Sequence, residues 1–330
     1  MRAVVFDAPA PDASTTRVAE VTVPEPGPGE VEIDVVAAGI NFIDVMARRG
    51  DPGYAGAWPF VPGLEAAGTV LALGPGVEGL TPGDRVAAFV GSGGLAEVAV
   101  ASARLMAPIP DGISWAAAAA AGGALTTAIL LVQDVARLRS GETLVVHSAG
   151  GGVGQALAQA ARAAGAATVV GTVGRPERVE AARAAGYDAV LVRDDRLVDA
   201  VRDRTGGRGA DVILDPQGTA LLDADLAVAA PGARIVLFGN AAGRALDPLP
   251  AGQLFALNAS IAAFSLSRMA RQLPDRVGAA LSRALAALAD GTLSVKPIEI
   301  AGLGGVAGVH DELAAGRGAG KRVAVLRNAG

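Results

Sequence analysis

The stretch from Val145 to Gly154, Val-Val-His-Ser-Ala-Gly-Gly-Gly-Val-Gly, holds the residues whose spacing speaks most directly of chemistry. It reads Ala-x-Gly-x-x-Gly, with Ala149, Gly151 and Gly154 at the spaced positions. Such a pattern is weak alone. Here it follows a short β-branched run at 143–146, and behind it Val153, Ala156, Leu157, Ala160, Ala161 and Ala164 recur at helical spacing until Gly165. In that context small residues let backbone amides approach a pyrophosphate, and the helix N-terminus supplies partial positive charge. The bland alternative is a Gly-rich turn that only joins strand to helix. Ala149, Gly151, Gly152, Val153 and Gly154 are therefore the candidate phosphate-binding residues of a dinucleotide site.

The end of the next strand-like run bears on which dinucleotide fits. A site for the unphosphorylated cofactor places Asp or Glu there, to accept from the ribose 2′-hydroxyl. This chain instead reads Val170-Gly171-Thr172-Val173-Gly174, then Arg175 and Arg178, with Arg193 after the following strand. Guanidinium groups give the charge-assisted donors that a 2′-phosphate needs. NADPH is the expected cofactor, with these three arginines at its phosphate end; their bland reading is solvated helix-face charge.

Metal and nucleophile chemistry have little to work with. The chain contains no cysteine and only two histidines, His147 and His310. Disulfides, thiolate catalysis and Cys-ligated or three-His zinc are thereby excluded, and no metal site is expected. His147, at a strand end, reads as a buried structural histidine. His310 falls at an apparent helix start and reads as a surface or capping residue. No nucleophile–base–orienter set is visible. That suits hydride transfer, in which the cofactor carries the chemistry while the protein orients it and excludes water.

The elements that must position these residues change character along the chain. The first part is turn-rich: Pro24, Pro26, Gly27, Pro28 and Gly29, then Gly74-Pro75-Gly76 and Pro82-Gly83-Asp84, punctuate short β-branched runs. Val31-Glu32-Ile33-Asp34-Val35 alternates as a half-buried strand does. Further on, strands expected at 143–146, 167–171, 189–192, 211–214 and 234–238 alternate with helices, one of them at 176–185 opened by Pro176. This is the pattern of a parallel sheet covered on both faces. A strand at 260–264, a helix near 275–290 and a last strand at 322–326 follow.

A length of 330 residues suits two domains. The net charge of −5 and the scattered basic residues leave no footprint for nucleic acid. Residues 113–133 carry no charge and are long enough for a membrane helix. The alanines at 116–121 and Gly122-Gly123 argue instead for two short buried helices with a Gly break. The chain moves from Met1-Arg2 straight into a strand-like run at 3–6, so no signal peptide is expected and a cytoplasmic location is the default.

Several motifs, taken together, resemble a known family. Gly39-Ile40-Asn41-Phe42-Ile43-Asp44, Arg49-Gly50, Pro62-Gly63-Leu64-Glu65-Ala66-Ala67-Gly68, Gly83-Asp84-Arg85-Val86, the glycine loop and Phe238-Gly239-Asn240 occur in that order, ending at Gly320-Lys321. They resemble the quinone oxidoreductase (zeta-crystallin) branch of the medium-chain dehydrogenase/reductase superfamily. The resemblance implies an α/β fold: a GroES-like β-rich domain from residues 1–123 and 265–330, and a Rossmann doubly wound parallel sheet at 124–264, with the cofactor in the cleft between them. It maps cofactor positions onto Asn41, Thr126, Gly151 to Gly154, Thr172, Arg178, Phe238, Gly239 and Phe264. It puts Asn41 and Asp44 near the nicotinamide. It also implies a homodimer, in which the run 260–266 pairs edge to edge across a twofold axis.

Zinc alcohol dehydrogenases of the superfamily have Cys where this chain has Asn41, and Gly-His-Glu where it has Gly63-Leu64-Glu65; the Leu64 side chain cannot ligate zinc. Without a Lewis acid an alkoxide is not readily held. The expected acceptor is a quinone or another electron-poor small molecule. An enone or enoyl thioester is the nearest alternative, and a non-catalytic NADPH-binding protein is the alternative of a different class. The sequence departs from the family at Arg175 (often Ser), at Arg193 (often Tyr) and at Gly50-Asp51-Pro52-Gly53-Tyr54, where the Tyr of Gly-x-Tyr-Pro is displaced by two positions. In related enoyl reductases that Tyr acts near the substrate. Tyr54 therefore joins Asn41 and Asp44 as a catalytic candidate, which requires hydrogen-bond reach. Asp44 has two readings: it orients Asn41 or a substrate hydroxyl, or it is a helix-surface acid. Trp58 and Trp115 read as packing residues.

Overall fold

The computed structural model describes residues 1–327, and the chain divides into two units, Met1–Thr126 joined by the chain from Leu266, and Thr127–Ser265. In the first unit, Arg2–Phe6 pairs antiparallel with Thr16–Glu20. A larger sheet runs in the spatial order Ile298–Ala301, Arg322–Val325, Glu30–Ile40, Glu65–Leu73, Arg85–Phe89, Met106–Pro108, and Val98–Ser102 also pairs with Glu30–Ile40. The alternation read at its start holds: Val31, Ile33 and Val35 are fully buried and pack with Val4, Phe6, Val70 and Val86, while Glu32 and Asp34 are partly exposed. This is the GroES-like half of the fold. The strand Arg322–Val325 lies antiparallel to Glu30–Ile40 with Arg322 opposite Ile40. That register brings Lys321 beside Asn41, across almost the whole sequence.

In the second unit six strands form one parallel sheet in the order Ala189–Val192, Thr168–Val173, Thr143–Val146, Ala210–Asp215, Ala229–Leu237, Ser260–Ala263. This is a Rossmann order. The chain reverses direction across the sheet at Thr143–Val146. In open α/β sheets, ligands bind at the strand C-termini beside such a switch point. The helix Gly152–Ala163 rises from that place, burying Ala156, Leu157, Ala160 and Ala161 on one face.

Two expectations are corrected. The apolar segment is not two helices with a break. Trp115–Val135 is one helical run, long and apolar enough to cross a membrane by composition, and mostly buried in the protein. It passes from α to π geometry at Ala121–Leu125 and again at Leu130–Val135. A side chain at Gly122 would stand 2.8 Å from the Ala88 carbonyl oxygen, and one at Gly123 2.8 Å from Glu65 Oε2. The glycines serve close approach, not interruption. His310 is neither a surface nor a capping residue. It lies inside the helix Val306–Ala314, is fully buried with Val306 and Val309, and meets the Phe6 ring edge-on at 5.7 Å between centroids. One face of that helix packs on the core, and His310 falls on it.

Candidate functional site

The glycine loop occupies the switch point. Ala149 is fully buried and its N–H donates to the Thr172 carbonyl at 2.9 Å. A Cβ on Gly171 would come within 2.7 Å of the Ala149 methyl, so Gly171 makes room for the alanine that replaces the first glycine of the fingerprint. A Cβ on Gly154 would stand 2.5 Å from the Ser148 carbonyl oxygen, and the buried Tyr187 hydroxyl donates to the Gly154 carbonyl at 2.5 Å. The loop is thus pressed between helix and sheet by contacts that only glycine allows. Gly151 caps the helix without any side-chain acceptor. Orphan N–H groups at a helix start are what a phosphate group takes up, so the loop fits the pyrophosphate it was expected to hold.

The three arginines differ in their settings. Arg175 is exposed at the start of the turn Pro176–Arg178. Arg178 is half-buried against the loop: a Cβ on Gly150 would touch its Cβ at 3.4 Å. Arg193 reaches back to Thr172, donating from Nη1 to Oγ1 at 3.4 Å. Burial lowers the Arg193 pKa, opposed by Asp215 and reinforced by the nearby charge of Arg178. Phe238 and Gly239 follow the strand Ala229–Leu237, where Phe238 N donates to the Asp215 carbonyl at 2.9 Å. Phe264 is buried just past the last strand, its N–H on the Leu237 carbonyl at 2.9 Å.

Beneath the loop lies a polar cluster. His147 is buried, as read from the sequence, with Nδ1 2.7 Å from Thr172 Oγ1 and Nε2 2.7 Å from Asp225 Oδ1. Asp215 ends its strand nearby and accepts from Gln217 N at 2.7 Å. Its pKa is raised by burial and then by the Asp225 charge, against the opposing pull of His147. Neither Asp215 Oδ2 nor Asp225 Oδ2 has a hydrogen-bond partner among the described residues.

In the first unit Asn41 sits in a fixed network. Its Nδ2 donates to Glu65 Oε1 at 2.9 Å and to the Gly39 carbonyl at 3.3 Å, and its Oδ1 accepts from Lys321 Nζ at 2.6 Å. Lys321 Nζ also donates to the Ile40 carbonyl at 3.1 Å and pairs with Glu65, which in turn accepts from Gly123 N. Both amide hydrogens of Asn41 are taken, so it has no donor left for a substrate oxygen. One acceptor site on Oδ1 remains. Asp44 is buried, which removes its reading as a helix-surface acid: Oδ2 accepts from Asn41 N at 2.8 Å and Oδ1 from Gly63 N at 3.2 Å. Its carboxylate caps the helix Phe42–Arg49 and orients the Asn41 backbone. Thr126 is fully buried and donates its hydroxyl to the Ala121 carbonyl at 2.7 Å. Tyr54 is half-buried, and its pKa is raised by burial first and by Asp51 next, against Arg268 and Arg49. It stays a phenol, able to donate. Trp58 packs edge-on against Phe60, and Arg85 lies 4.3 Å over the Trp115 ring.

Sequence reasoning missed Lys321, Glu65 and Asp225 as participants. Glu65 and Lys321 stood inside quoted motifs, but their contact depends on the pairing of distant strands. Asp225 gave no signal at all, since an acid in the run Leu222–Val228 looks like helix surface.

Two family models match the chain: one described as a zinc-binding dehydrogenase, over residues 152–285, and one as an alcohol dehydrogenase GroES-like domain, over residues 27–111. Among solved structures, mycobacterial Rv1454c complexed with NADPH is 31% identical, with a TM-score of 0.91, covering 98% of this chain and 100% of that one. The Escherichia coli quinone oxidoreductase complexed with NADPH is 26% identical, with a TM-score of 0.89, covering 98% of this chain and 100% of its own. Among characterised proteins, the pikromycin polyketide synthase component PikAII of Streptomyces venezuelae is 38% identical over 287 residues, which is 85% of this chain but 7% of that protein. A synaptic vesicle membrane protein VAT-1 homolog-like of Mus musculus is 40% identical over 217 residues, 65% of this chain and 51% of that protein. The chain therefore spans a small part of the synthase and about half of the vesicle protein.

Proposed function

Because this chain belongs to the zinc-free, quinone oxidoreductase branch of the medium-chain dehydrogenase/reductase superfamily, we propose that it is an NADPH-dependent oxidoreductase that delivers hydride to a quinone or another electron-poor acceptor without a metal. The observation that carries this is the uncapped helix start at Gly151, with Arg178 against the loop at Gly150 and Arg193 on Thr172 of the neighbouring strand, at the switch point of the sheet. In this reading the amides of Gly152, Val153 and Gly154 hold the pyrophosphate, with Ala149 and Gly151, whose N–H donates to the Ser148 carbonyl, shaping the turn. Arg175, Arg178 and Arg193 hold the 2′-phosphate. Thr172, Phe238, Gly239 and Phe264 line the site, and Asn41 and Thr126 belong to its nicotinamide end. NADPH, when bound, supplies the hydride. Asn41 fits acceptance of one hydrogen bond there, Asp44 and Lys321 hold it in place, and Tyr54 offers a phenolic proton. Two NADPH-bound relatives support the cofactor assignment.

A second reading, reduction of an activated C=C bond, is favoured by the protonated, half-buried Tyr54 and by the polyketide synthase relative. Rates of NADPH consumption with a benzoquinone, a short enone and a crotonyl thioester separate the two. Turnover is expected with the quinone. Turnover confined to the thioester or enone establishes the second reading, and tight NADPH binding with no oxidation by any acceptor makes the chain a non-catalytic binder.

The same reading includes a homodimer built on the strand Ser260–Ala263. That strand ends the six-stranded sheet and is partly exposed along its length, and Phe255, Leu246 and Leu249 stand exposed in the chain leading to it. An open strand edge beside exposed apolar groups suits pairing with a second copy.

A further inference from the structure

We propose that Asp225 and His147 are positioning residues which, through Thr172, set the guanidinium of Arg193 and so favour a dinucleotide carrying a 2′-phosphate. This deepens the reading of the glycine loop as an NADPH site and rests on it.

The geometry gives a single line of hydrogen bonds. Asp225 Oδ1 lies 2.7 Å from His147 Nε2, His147 Nδ1 lies 2.7 Å from Thr172 Oγ1, and Arg193 Nη1 lies 3.4 Å from the same hydroxyl. With Asp225 ionised and His147 neutral, one polarity satisfies all three links. The Asp225 carboxylate then accepts from His147 Nε2, the bare Nδ1 accepts the Thr172 hydroxyl hydrogen, and the Thr172 oxygen accepts from Arg193, which can only donate. His147 then carries its hydrogen on Nε2, facing the Asp225 carboxylate. Asp225 thereby selects the tautomer that lets Thr172 accept from Arg193.

The cluster is costly unless it serves a purpose. Asp225, His147 and Thr172 are all buried, and one oxygen of Asp225 has no hydrogen-bond partner among the described residues. The gap beside it, lined by Val145, Leu197, Val201 and Val228, leaves no room for water. A buried carboxylate so placed calls for an explanation beyond packing. At the other end, Arg193 is held in partial burial close to Arg178, where a guanidinium gains from an anion. A Cβ on Gly174 would come within 2.8 Å of Arg193 Nη2, so that glycine keeps the space in which the group lies. The whole line runs from the sheet interior to the position where the second strand of such a sheet meets the adenosine ribose.

Fluorescence titration of NADPH and NADH against purified variants tests this. Asp225→Leu and His147→Leu, each breaking the line, are expected to raise the Kd for NADPH about three- to tenfold, the worth of one hydrogen bond, and to leave NADH within about twofold. In an Arg193→Met background, Asp225→Leu should add nothing further. Equal weakening of both dinucleotides, or additive effects with Arg193→Met, overturns the proposal and makes the cluster a packing device. Thermal melts identify a variant that fails to fold, in which case Asp225→Asn replaces Asp225→Leu. Arg178→Ala separates the two levels of inference. If it weakens NADPH selectively while the line variants do not, the positioning role alone is overturned. If neither it nor any line variant alters NADPH preference, the NADPH reading of the site falls as well.

Discussion

Lys321 shows how much one residue can carry without touching a reactant. Its three N–H groups go to the Ile40 carbonyl, Asn41 Oδ1 and Glu65, and it is almost wholly buried. A Cβ on Gly39 would overlap the Glu65 carboxylate, so that glycine exists to let Glu65 lie under Asn41. Breaking a buried pair leaves an uncompensated charge. Lys321→Met is therefore expected to cost about 3–5 kcal/mol in urea unfolding. Lys321→Met/Glu65→Gln should recover more than half of that, because the charge left behind is removed. If the double variant is as unstable as the single, Glu65 is not what Lys321 balances. The sequence named Asn41 from its motif. It did not name its partners, because a lysine near the C-terminus has no reason to meet residue 41 until the register of two strands is known.

At the scale of elements, the loop and its helix were legible, and the long apolar run was legible as buried helix but not as one continuous helix. The strand at 143–146, the glycines and the helical period behind them form a local pattern, fixed by backbone space and short-range contacts. Gly154 illustrates its tightness, because any side chain would strike the Ser148 and Ala149 carbonyls at 2.5 and 2.7 Å. Gly154→Ala is expected to push the helix from the strand and weaken NADPH binding at least about tenfold, measured by titration, since the backbone must approach the pyrophosphate closely. Unchanged affinity would show that the pyrophosphate lies elsewhere. In contrast, Gly122-Gly123 look like a break by propensity. They become part of a continuous helix with π turns because Glu65 and Ala88 crowd that face. Tertiary neighbours there override the local preference.

For the molecule as a whole, the proposed dimer has a direct check. Light scattering should give twice the chain mass, and Phe255→Glu/Ile261→Lys, which charges the helix and edge strand, should give the monomer. A wild-type monomer would reject the edge pairing. The sequence by itself determined the two kinds of architecture, the parallel sheet implied by alternating strands and helices, the glycine loop, and the exclusion of thiolate and Cys-ligated zinc chemistry. Periodicity, small residues and composition are local properties, and they survive without knowledge of distant contacts. Only the tertiary structure decided that His310 and Asp44 are buried, that Asn41 has no hydrogen left to donate, and that Asp225 stands behind His147. Each depends on which face of an element meets another element far away in sequence, and burial of a polar group becomes visible only when its partners are in place.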